Sequence, residues 1–206
     1  MANNRSQEIL DAYASVIVEK GFAKASFSTI AKVLEIPQSL IFHYFKNKED
    51  MTHQLAACVF DRCEQSYFCR SFDGPADRAL VDFMDHVFHI HEFRKDSVDT
   101  SLYYTFMNQA TLDPVIRQSL GNVSDSTIRR LEEALRRFVQ AGVIAPEDPA
   151  LAARELLCLV DGLNCNWIAS DPQAHACFAT KLMVHFIRTT LRYTGDPTLL
   201  QRCSAE

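Results

Sequence analysis

The polar side chains that follow Pro37 are the group in this 206-residue chain whose types and spacing best suit molecular recognition. Gln38 and Ser39 come directly after the proline, and His43 and Tyr44 follow in the same short segment. Amide, hydroxyl and imidazole groups can bond to base edges or phosphate oxygens of DNA. Gln38 and Ser39, at the start of the segment, are the two side chains expected to reach base edges.

A metal site is the second kind of chemistry that the spacing suggests. Asp82, His86 and His89 fall at i, i+4 and i+7 of a predicted helix, and imidazole and carboxylate groups bind several divalent metals. Three ligands on one straight helix rarely close a site, however, and a mixed polar face or a pocket lining explains the same spacing. We therefore predict no metal and no cofactor.

Thiol chemistry is a third candidate, because the chain contains seven cysteines. Their number is odd, their spacing is irregular and no C-x-x-C occurs, which favours free thiols in a reducing cytoplasm. Cys58, Cys63 and Cys69 could act as a redox sensor, but nothing in the sequence indicates a lowered thiol pKa.

Enzymatic motifs are absent from the sequence. It contains no G-x-S-x-G, H-E-x-x-H, P-loop or dinucleotide fingerprint. Glu132 and Glu133 lie among four arginines at helical spacing, which is typical of ion pairs along a helix surface. The chain is therefore predicted not to be an enzyme.

Two short helices position the polar group after Pro37. Ser26 is a predicted N-cap for the first helix, whose apolar face begins at Phe27 and ends at Leu34. Pro37 cannot continue that helix and is better placed at the start of the next one, which runs to about Tyr44. Two small helices joined by a tight turn form a helix-turn-helix, whose second helix can enter the major groove of DNA.

Residues 5–50 also resemble the N-terminal region of the tetracycline-repressor (TetR) family. The resemblance lies in Arg5, Ile9-Leu10, Glu19-Lys20-Gly21-Phe22, Ile30-Ala31 and the segment from Ile41 to Asp50. It implies phosphate contacts from His43, Tyr44 and Lys48, and the start of helix 4 also favours a phosphate beside Lys48. Ser26 and Thr29 are further candidates for backbone contacts, although local capping explains them equally well.

The chain departs from the family pattern at four positions. Glu35 stands where the family usually has a glycine in the turn, a position that often needs a positive φ. Pro37 stands in place of a common serine cap, and Leu40 in place of a small residue. Phe42 replaces a common tyrosine, so one hydroxyl that could reach a phosphate is missing.

Composition limits the remaining possibilities. The formal net charge of −5 argues against a protein that coats nucleic acid through bulk charge. The N-terminus lacks the apolar core of a signal peptide and no apolar run is long enough to span a membrane. We expect a cytoplasmic protein.

The fold predicted from periodicity and breakers is all-α, with about nine helices. Residues 1–47 form the DNA-binding domain, and residues 48–206 form a ligand-binding and dimerisation domain. Beyond the first three helices, we expect helix 4 to about Ser71 and then further helices bounded by prolines and glycines. Their predicted ranges are 75–93, 97–109, 114–141 (with a break near Gly121), 149–169 and 172–193.

The last two helices are apolar on more than one face, which indicates burial against a second copy of the chain as well as against their own core. The resemblance likewise implies a homodimer. The dimer contacts predicted are Leu157, Phe178, Leu182 and Phe186.

The middle of the chain combines aromatic side chains with sparse polar groups, as small-molecule sites do, although core packing explains any one of them. The ligand-binding residues predicted are His86, Tyr103, Phe106, Met107, Asn164 and Trp167. With the resemblance, these features predict a repressor that binds a near-palindromic operator in double-stranded DNA and is released by a small, largely apolar effector. The alternatives are a DNA-binding sensor of metal or thiol oxidation, or a helical enzyme acting on small apolar molecules.

Overall fold

The computed structural model describes residues 2–90, 97–167 and 170–203. Within these ranges the regular structure is helical, and the one β-type pairing is an isolated bridge between Ile144 and Tyr193. The described part of the chain contains ten α-helices, namely α1 (Ala2–Lys20), α2 (Phe27–Val33), α3 (Gln38–Tyr44), α4 (Lys48–Tyr67), α5 (Ala76–Phe88), α6 (Ser97–Gln109), α7 (Pro114–Gln140), α8 (Pro149–Trp167), α9 (Pro172–Thr189) and α10 (Pro197–Cys203). A 3-10 turn at Phe22–Lys24 joins α1 to α2.

The all-α prediction is confirmed, with corrections to helix ends. Helix α4 ends at Tyr67 rather than near Ser71, and α7 runs through Gly121 without a break. Helix α5 ends at Phe88, and the predicted end at Phe93 lies outside the described residues. Helix α10 was not predicted. No helix in the described ranges has the length and apolar character needed to cross a membrane.

The chain forms two compact units. The first unit comprises Met1–Glu64 and Arg94–Val123, and the second comprises Gln65–Phe93 and Ser124–Glu206. The predicted functional boundary after residue 47 is a different division, and it stays a prediction.

The core of the first unit gathers the apolar faces of α1 to α4 and α6. Its largest fully buried side chains include Tyr13, Phe45, Phe60 and Phe106. The Phe60 ring meets the Phe106 ring edge-on, with centroids 6.3 Å apart. Helix α4 is thereby fixed to α6 by the dense aromatic packing that gives cores most of their apolar burial.

The core of the second unit is built around α5, α8 and α9. Its buried residues include Leu80, Phe88, Leu156 and Met183. Helix α9 starts where Asp171 accepts a bond from the Ala174 amide at 2.9 Å, so the predicted start at Asp171-Pro172 is confirmed.

Candidate functional site

The turn between α2 and α3 sets the direction in which α3 is presented. Ser26 caps α2 through a 3.2 Å bond that its Oγ accepts from the Thr29 amide, as predicted. At the other end of α2, the Ile36 amide donates to the Ala31 carbonyl at 3.0 Å, and Glu35 lies in the left-handed region with φ 52°. This is a Schellman-type ending in which glutamate occupies the position that glycine prefers. Glu35 thus adopts the positive φ that this turn position often needs.

Helix α3 has an exposed polar face and one buried apolar side chain. Ile41 is buried, whereas Gln38, Ser39 and His43 are exposed. Pro37 stands at the N-cap, so the first exposed side chain of the helix is Gln38. The arrangement leaves the predicted base-reading side chains available to a partner, which is what a recognition helix requires.

Phe42 shares this exposed surface. Its side chain is 55% exposed, and its ring meets the Phe27 ring edge-on with centroids 4.9 Å apart. In DNA recognition such a ring can touch sugar carbons or a thymine methyl group.

The ammonium group of Lys48 has partners within its own chain. Its ammonium donates to the Phe22 carbonyl oxygen at 2.8 Å and lies 4.6 Å from the centroid of the Phe22 ring. Partial burial lowers the pKa of Lys48. One of its three N–H groups is therefore engaged within the chain, and a phosphate contact from the others stays a prediction.

Lys46 was not among the predicted site residues, although it lies between α3 and Lys48. It is exposed, and its backbone amide donates to the Asp50 carboxylate at 2.9 Å, which fixes the backbone at the base of the side chain. The positive charge in the sequence was the available signal. Lys46 is thus a better placed candidate for phosphate contact than Lys48.

Ser26 and Thr29 serve the local structure. Thr29 Oγ1 donates to the Lys24 carbonyl at 3.1 Å and lies 3.0 Å from Ser26 Oγ. These bonds agree with the capping interpretation. Contacts from either hydroxyl to DNA remain a prediction.

The predicted ligand-binding residues are divided between the two units. Tyr103, Phe106 and Met107 belong to the first unit, where Phe106 is fully buried and the Tyr103 ring lies 5.9 Å from the Phe60 ring. Phe106 therefore contributes to a packed core.

The other three predicted ligand residues belong to the second unit. His86 is buried and its Nε2 donates to the Ser66 carbonyl at 2.8 Å; loss of solvent lowers the pKa of His86. Asn164 is buried, and the Trp167 ring packs edge-on against the His175 ring with centroids 5.2 Å apart. A ligand role for these side chains stays a prediction.

The second unit contains a cavity that none of the six predicted ligand residues lines. Its volume is about 580 Å³, within the range of roughly 300–1,000 Å³ typical of small-molecule sites. Aromatic rings form much of its wall, namely Tyr67, Phe68, Phe72, Phe83 and Phe138. The polar part of the wall includes Arg70, Asp73, Arg130, Glu133 and Arg137.

Arginines give this cavity a cationic side. The Arg130 guanidinium lies 3.9 Å from the centroid of the Phe68 ring, and Arg137 donates to Glu133 at 2.9 Å. The helix-surface ion pairs predicted for this segment are confirmed for Arg137 with Glu133 and for Arg136 with Glu132.

The metal candidate on α5 has other partners. The Asp82 carboxylate accepts both of its bonds from Arg78 Nε, at 2.9 and 3.0 Å. His89 bonds to Asp85 and to Thr180, on α9. With His86 bonded to Ser66, the three side chains form a mixed polar face, one of the two interpretations left open.

Several apolar side chains of α8 and α9 are exposed or half-buried. Phe178 is 54% exposed, Leu151 is also exposed, and Leu157 and Leu182 are half-buried. Cys158, Cys165 and Cys177 are exposed on the same two helices, which is unusual for cysteine. We refer to these seven residues as the α8–α9 face.

Phe186 requires a correction among the predicted dimer contacts. Its side chain is 2% exposed, and its ring packs 6.1 Å from the Phe88 ring within its own chain. Phe186 therefore supports the core of the second unit and is not part of the α8–α9 face.

Comparisons with known proteins agree with these features. A family model described as "BetI-type transcriptional repressor, C-terminal" matches residues 76–192, and one described as "Bacterial regulatory proteins, tetR family" matches residues 9–55. The fatty acid metabolism regulator protein of Bacillus subtilis is 24% identical over 169 residues, covering 80% of this chain and 84% of its own. The uncharacterized HTH-type transcriptional regulator YhgD of the same organism is 23% identical over 180 residues, covering 84% and 88%.

Solved structures share the same fold. A TetR transcription regulator from Haloarcula marismortui superposes with a TM-score of 0.75 at 17% identity, over 92% of this chain and 99% of the other.

Proposed function

The chain belongs to the TetR family of transcriptional regulators, and on that basis we propose that it is a homodimeric repressor. It binds a near-palindromic operator in the cytoplasm and leaves it when a small, largely apolar effector binds. The single observation that carries the proposal is the exposed polar face of α3. The buried Ile41 and the Schellman-type turn at Glu35 fix the orientation of that helix. Such a face can lie in the major groove.

Selection of bound sequences from a random duplex pool tests DNA recognition. We expect an inverted repeat, because a dimer presents two copies of α3 to two half-sites. Gln38→Ala should relax base preference at one position of each half-site. Selected sequences without an inverted repeat would refute the dimeric arrangement on DNA.

Lys46→Ala tests the phosphate contact. We expect weaker binding to all sequences alike and a salt slope that falls by about two units per dimer, because each protomer loses one phosphate contact. Lys181→Ala is the matched control, since it removes the same charge from an exposed position on α9 in the second unit. If both variants bind alike, Lys46 makes no phosphate contact.

The α8–α9 face supports the dimer. Because Phe178 is exposed within one chain, Phe178→Glu leaves that chain's core intact and acts only where a partner covers the ring. An unpaired charge buried at an interface costs several kcal/mol, on the order of 3–5. Sedimentation should show a dimer for the wild type and for the control Val139→Glu, and a monomer for Phe178→Glu. A wild-type monomer at micromolar concentration would overturn the dimer.

The cavity of the second unit supports an effector with an apolar body and an acidic end. Its aromatic wall suits a hydrocarbon, and Arg130 suits a carboxylate. The name of the Bacillus subtilis fatty acid metabolism regulator protein, a relative of this chain, points to the same chemical class. The six residues predicted from the sequence are the second candidate location.

A series of straight-chain fatty acids tests the effector. We expect affinity to rise with chain length and operator affinity to fall on binding, with the same coupling factor in both directions. Arg130→Gln should weaken binding about tenfold, whereas Arg129→Gln, an exposed neighbour outside the cavity, should not. If Trp167→Phe weakens binding and Arg130→Gln does not, the effector binds at the predicted residues instead.

A further inference from the structure

A histidine and two carboxylates meet in the first unit, apart from the surfaces described above. Glu49 and His53 are one turn apart on α4, and Asp113 lies directly before α7. One ligand atom from each, namely a Glu49 carboxylate oxygen, a His53 ring nitrogen and an Asp113 carboxylate oxygen, lies within 4.8 Å of the other two. Imidazole with carboxylates is a ligand set for divalent transition metals.

Asp113 is oriented before any ion arrives. Its Oδ1 accepts from the Val115 amide at 2.8 Å and from the Ile116 amide at 3.2 Å, so the carboxylate caps α7. Its Oδ2 then points to His53 Nε2, at 2.8 Å. Second contacts that fix a ligand's orientation are characteristic of metal sites.

Glu49 distinguishes this cluster from a simple ion pair between His53 and Asp113. The bond between His53 and Asp113 needs no third group, yet the Glu49 carboxylate stands on the same face because i and i+4 are neighbours on a helix. The adjacent Asp50 is engaged elsewhere, with the Lys46 amide and Gln54. Glu49 is exposed, so its side chain has room to move inward.

We propose that Glu49, His53 and Asp113 bind a divalent transition-metal ion, with Zn²⁺ as the reference ion. In the process His53 gives up its Nε2 proton to solvent while Nδ1 holds or takes up a proton, so that the ring binds the ion as a neutral imidazole. The bond between His53 and Asp113 is replaced by bonds from both groups to the ion. Metal–ligand distances of about 2.0–2.2 Å set ligand atoms roughly 3.3 Å apart in a tetrahedron. The pair at 2.8 Å therefore opens by about half an ångström, and Glu49 moves closer.

The three side chains alone give an incomplete coordination shell. Three protein ligands leave one position for water, whereas structural zinc sites usually have four protein ligands. A bound ion would join the first two turns of α4 to Asp113, the residue that caps α7, within the unit that carries α3. This metal site is independent of the fatty-acid effector and goes beyond the proposed function.

The test uses metal-free, full-length protein without DNA, titrated with Co²⁺ and followed by its visible absorption, then with Zn²⁺ in competition. We expect one high-affinity ion per chain. Glu49→Gln and His53→Gln should each weaken it by about tenfold or more. His185→Gln is the control, since it removes an exposed histidine in the second unit.

Two results would overturn the proposal. One is binding that His53→Gln and Glu49→Gln leave unchanged. The other is a sulfur-to-cobalt charge-transfer band, which would assign the ion to the cysteines. Because Glu49 is exposed, Glu49→Gln tests the site without disturbing the core, and circular dichroism verifies that each variant is folded. Since no DNA is present, failure here leaves the DNA-binding proposal untouched.

Discussion

A buried hydroxyl pair between α1 and α4 gives the sharpest prediction about stability. Tyr13 Oη lies 2.8 Å from Thr52 Oγ1, and both side chains are buried. Thr52 Oγ1 also donates to the Lys48 carbonyl at 2.7 Å. A threonine hydroxyl has a single hydrogen, so Tyr13 must be the donor in the bond between them. Burial raises the pKa of Tyr13 to about 12 despite the bond to Thr52, so this donor stays protonated at neutral pH.

The assignment makes the two single substitutions unequal. Tyr13→Phe removes the donor and leaves Thr52 with its own bond to Lys48, which costs about 1 kcal/mol. Thr52→Val removes the acceptor and leaves the Tyr13 hydroxyl buried without a partner, which costs about 2 kcal/mol. The double variant removes both groups, so its cost should fall short of the sum by about 1 kcal/mol.

Urea unfolding of the four proteins measures these differences. Stability of a dimer depends on concentration, so all four are compared at one protein concentration. Each midpoint difference multiplied by a common m-value gives the change in free energy of unfolding. If Thr52→Val costs no more than Tyr13→Phe, or if the costs simply add, the donor assignment is refuted.

Three further predictions follow from single residues. Glu35→Gly should stabilise the protein by roughly 0.5 kcal/mol, because relief of the left-handed φ exceeds glycine's entropy cost, and an unchanged or lower melting temperature would contradict this. Burial lowers the pKa of His89, but the interactions with Asp85 outweigh burial and raise that pKa to about 9. The pair therefore stabilises the fold fully below about pH 6.5, and this stabilisation is lost as pH rises through 9. Asp85→Asn should therefore cost on the order of 1 kcal/mol at pH 6 and much less at pH 10, measured by urea unfolding, since exposure of Asp85 screens the pair. Phe42→Tyr should strengthen binding to all duplexes a few-fold without changing the salt slope, since it adds a neutral hydroxyl to the exposed face; unchanged affinity in a fluorescence titration would exclude a phosphate within its reach.

Local rules predicted the features that depend on neighbouring residues. Ser26 and Asp171 cap their helices as expected, and Asn47 Oδ1 accepts from the Asp50 amide at 2.7 Å at the start of α4. The positive φ of Glu35 follows from the geometry of a helix ending, which the turn sequence specifies within a few residues. These are interactions over three to five positions, the range that a sequence pattern encodes.

Features that depend on distant residues were missed. Helix α9 was predicted to reach Tyr193 but ends at Thr189, because Leu191 and Thr194 bond to the segment 143–145 and Tyr193 forms the bridge with Ile144. Periodicity along α9 contains no information about that segment.

Burial and exposure within the last helices were also not readable from the pattern. Phe186 and Phe178 are both apolar positions of α9, yet one lies in the core and the other is exposed. The cavity of the second unit was missed for the same reason, since its wall combines residues 67–83 with residues 130–141, which only the tertiary fold brings together.

The start of α4 shows why stability and DNA binding should be linked in this protein. Lys48 and Thr52 face the 3-10 turn and α1, whereas Glu49 and His53 face Asp113. Consecutive residues face different neighbours because each step along a helix turns the side chain by about 100°.

Only the cap residue Asn47 and two preceding residues separate this segment from the end of α3. A substitution that loosens the start of α4 therefore also frees the recognition helix, and its cost in unfolding free energy should appear as weaker binding to every DNA sequence. A substitution on the exposed face of α3, such as Gln38→Ala, should change base preference while stability stays the same. Thr52→Val and Gln38→Ala thus separate the two roles: if Thr52→Val destabilises the fold but leaves operator affinity unchanged, the start of α4 does not hold α3 in place.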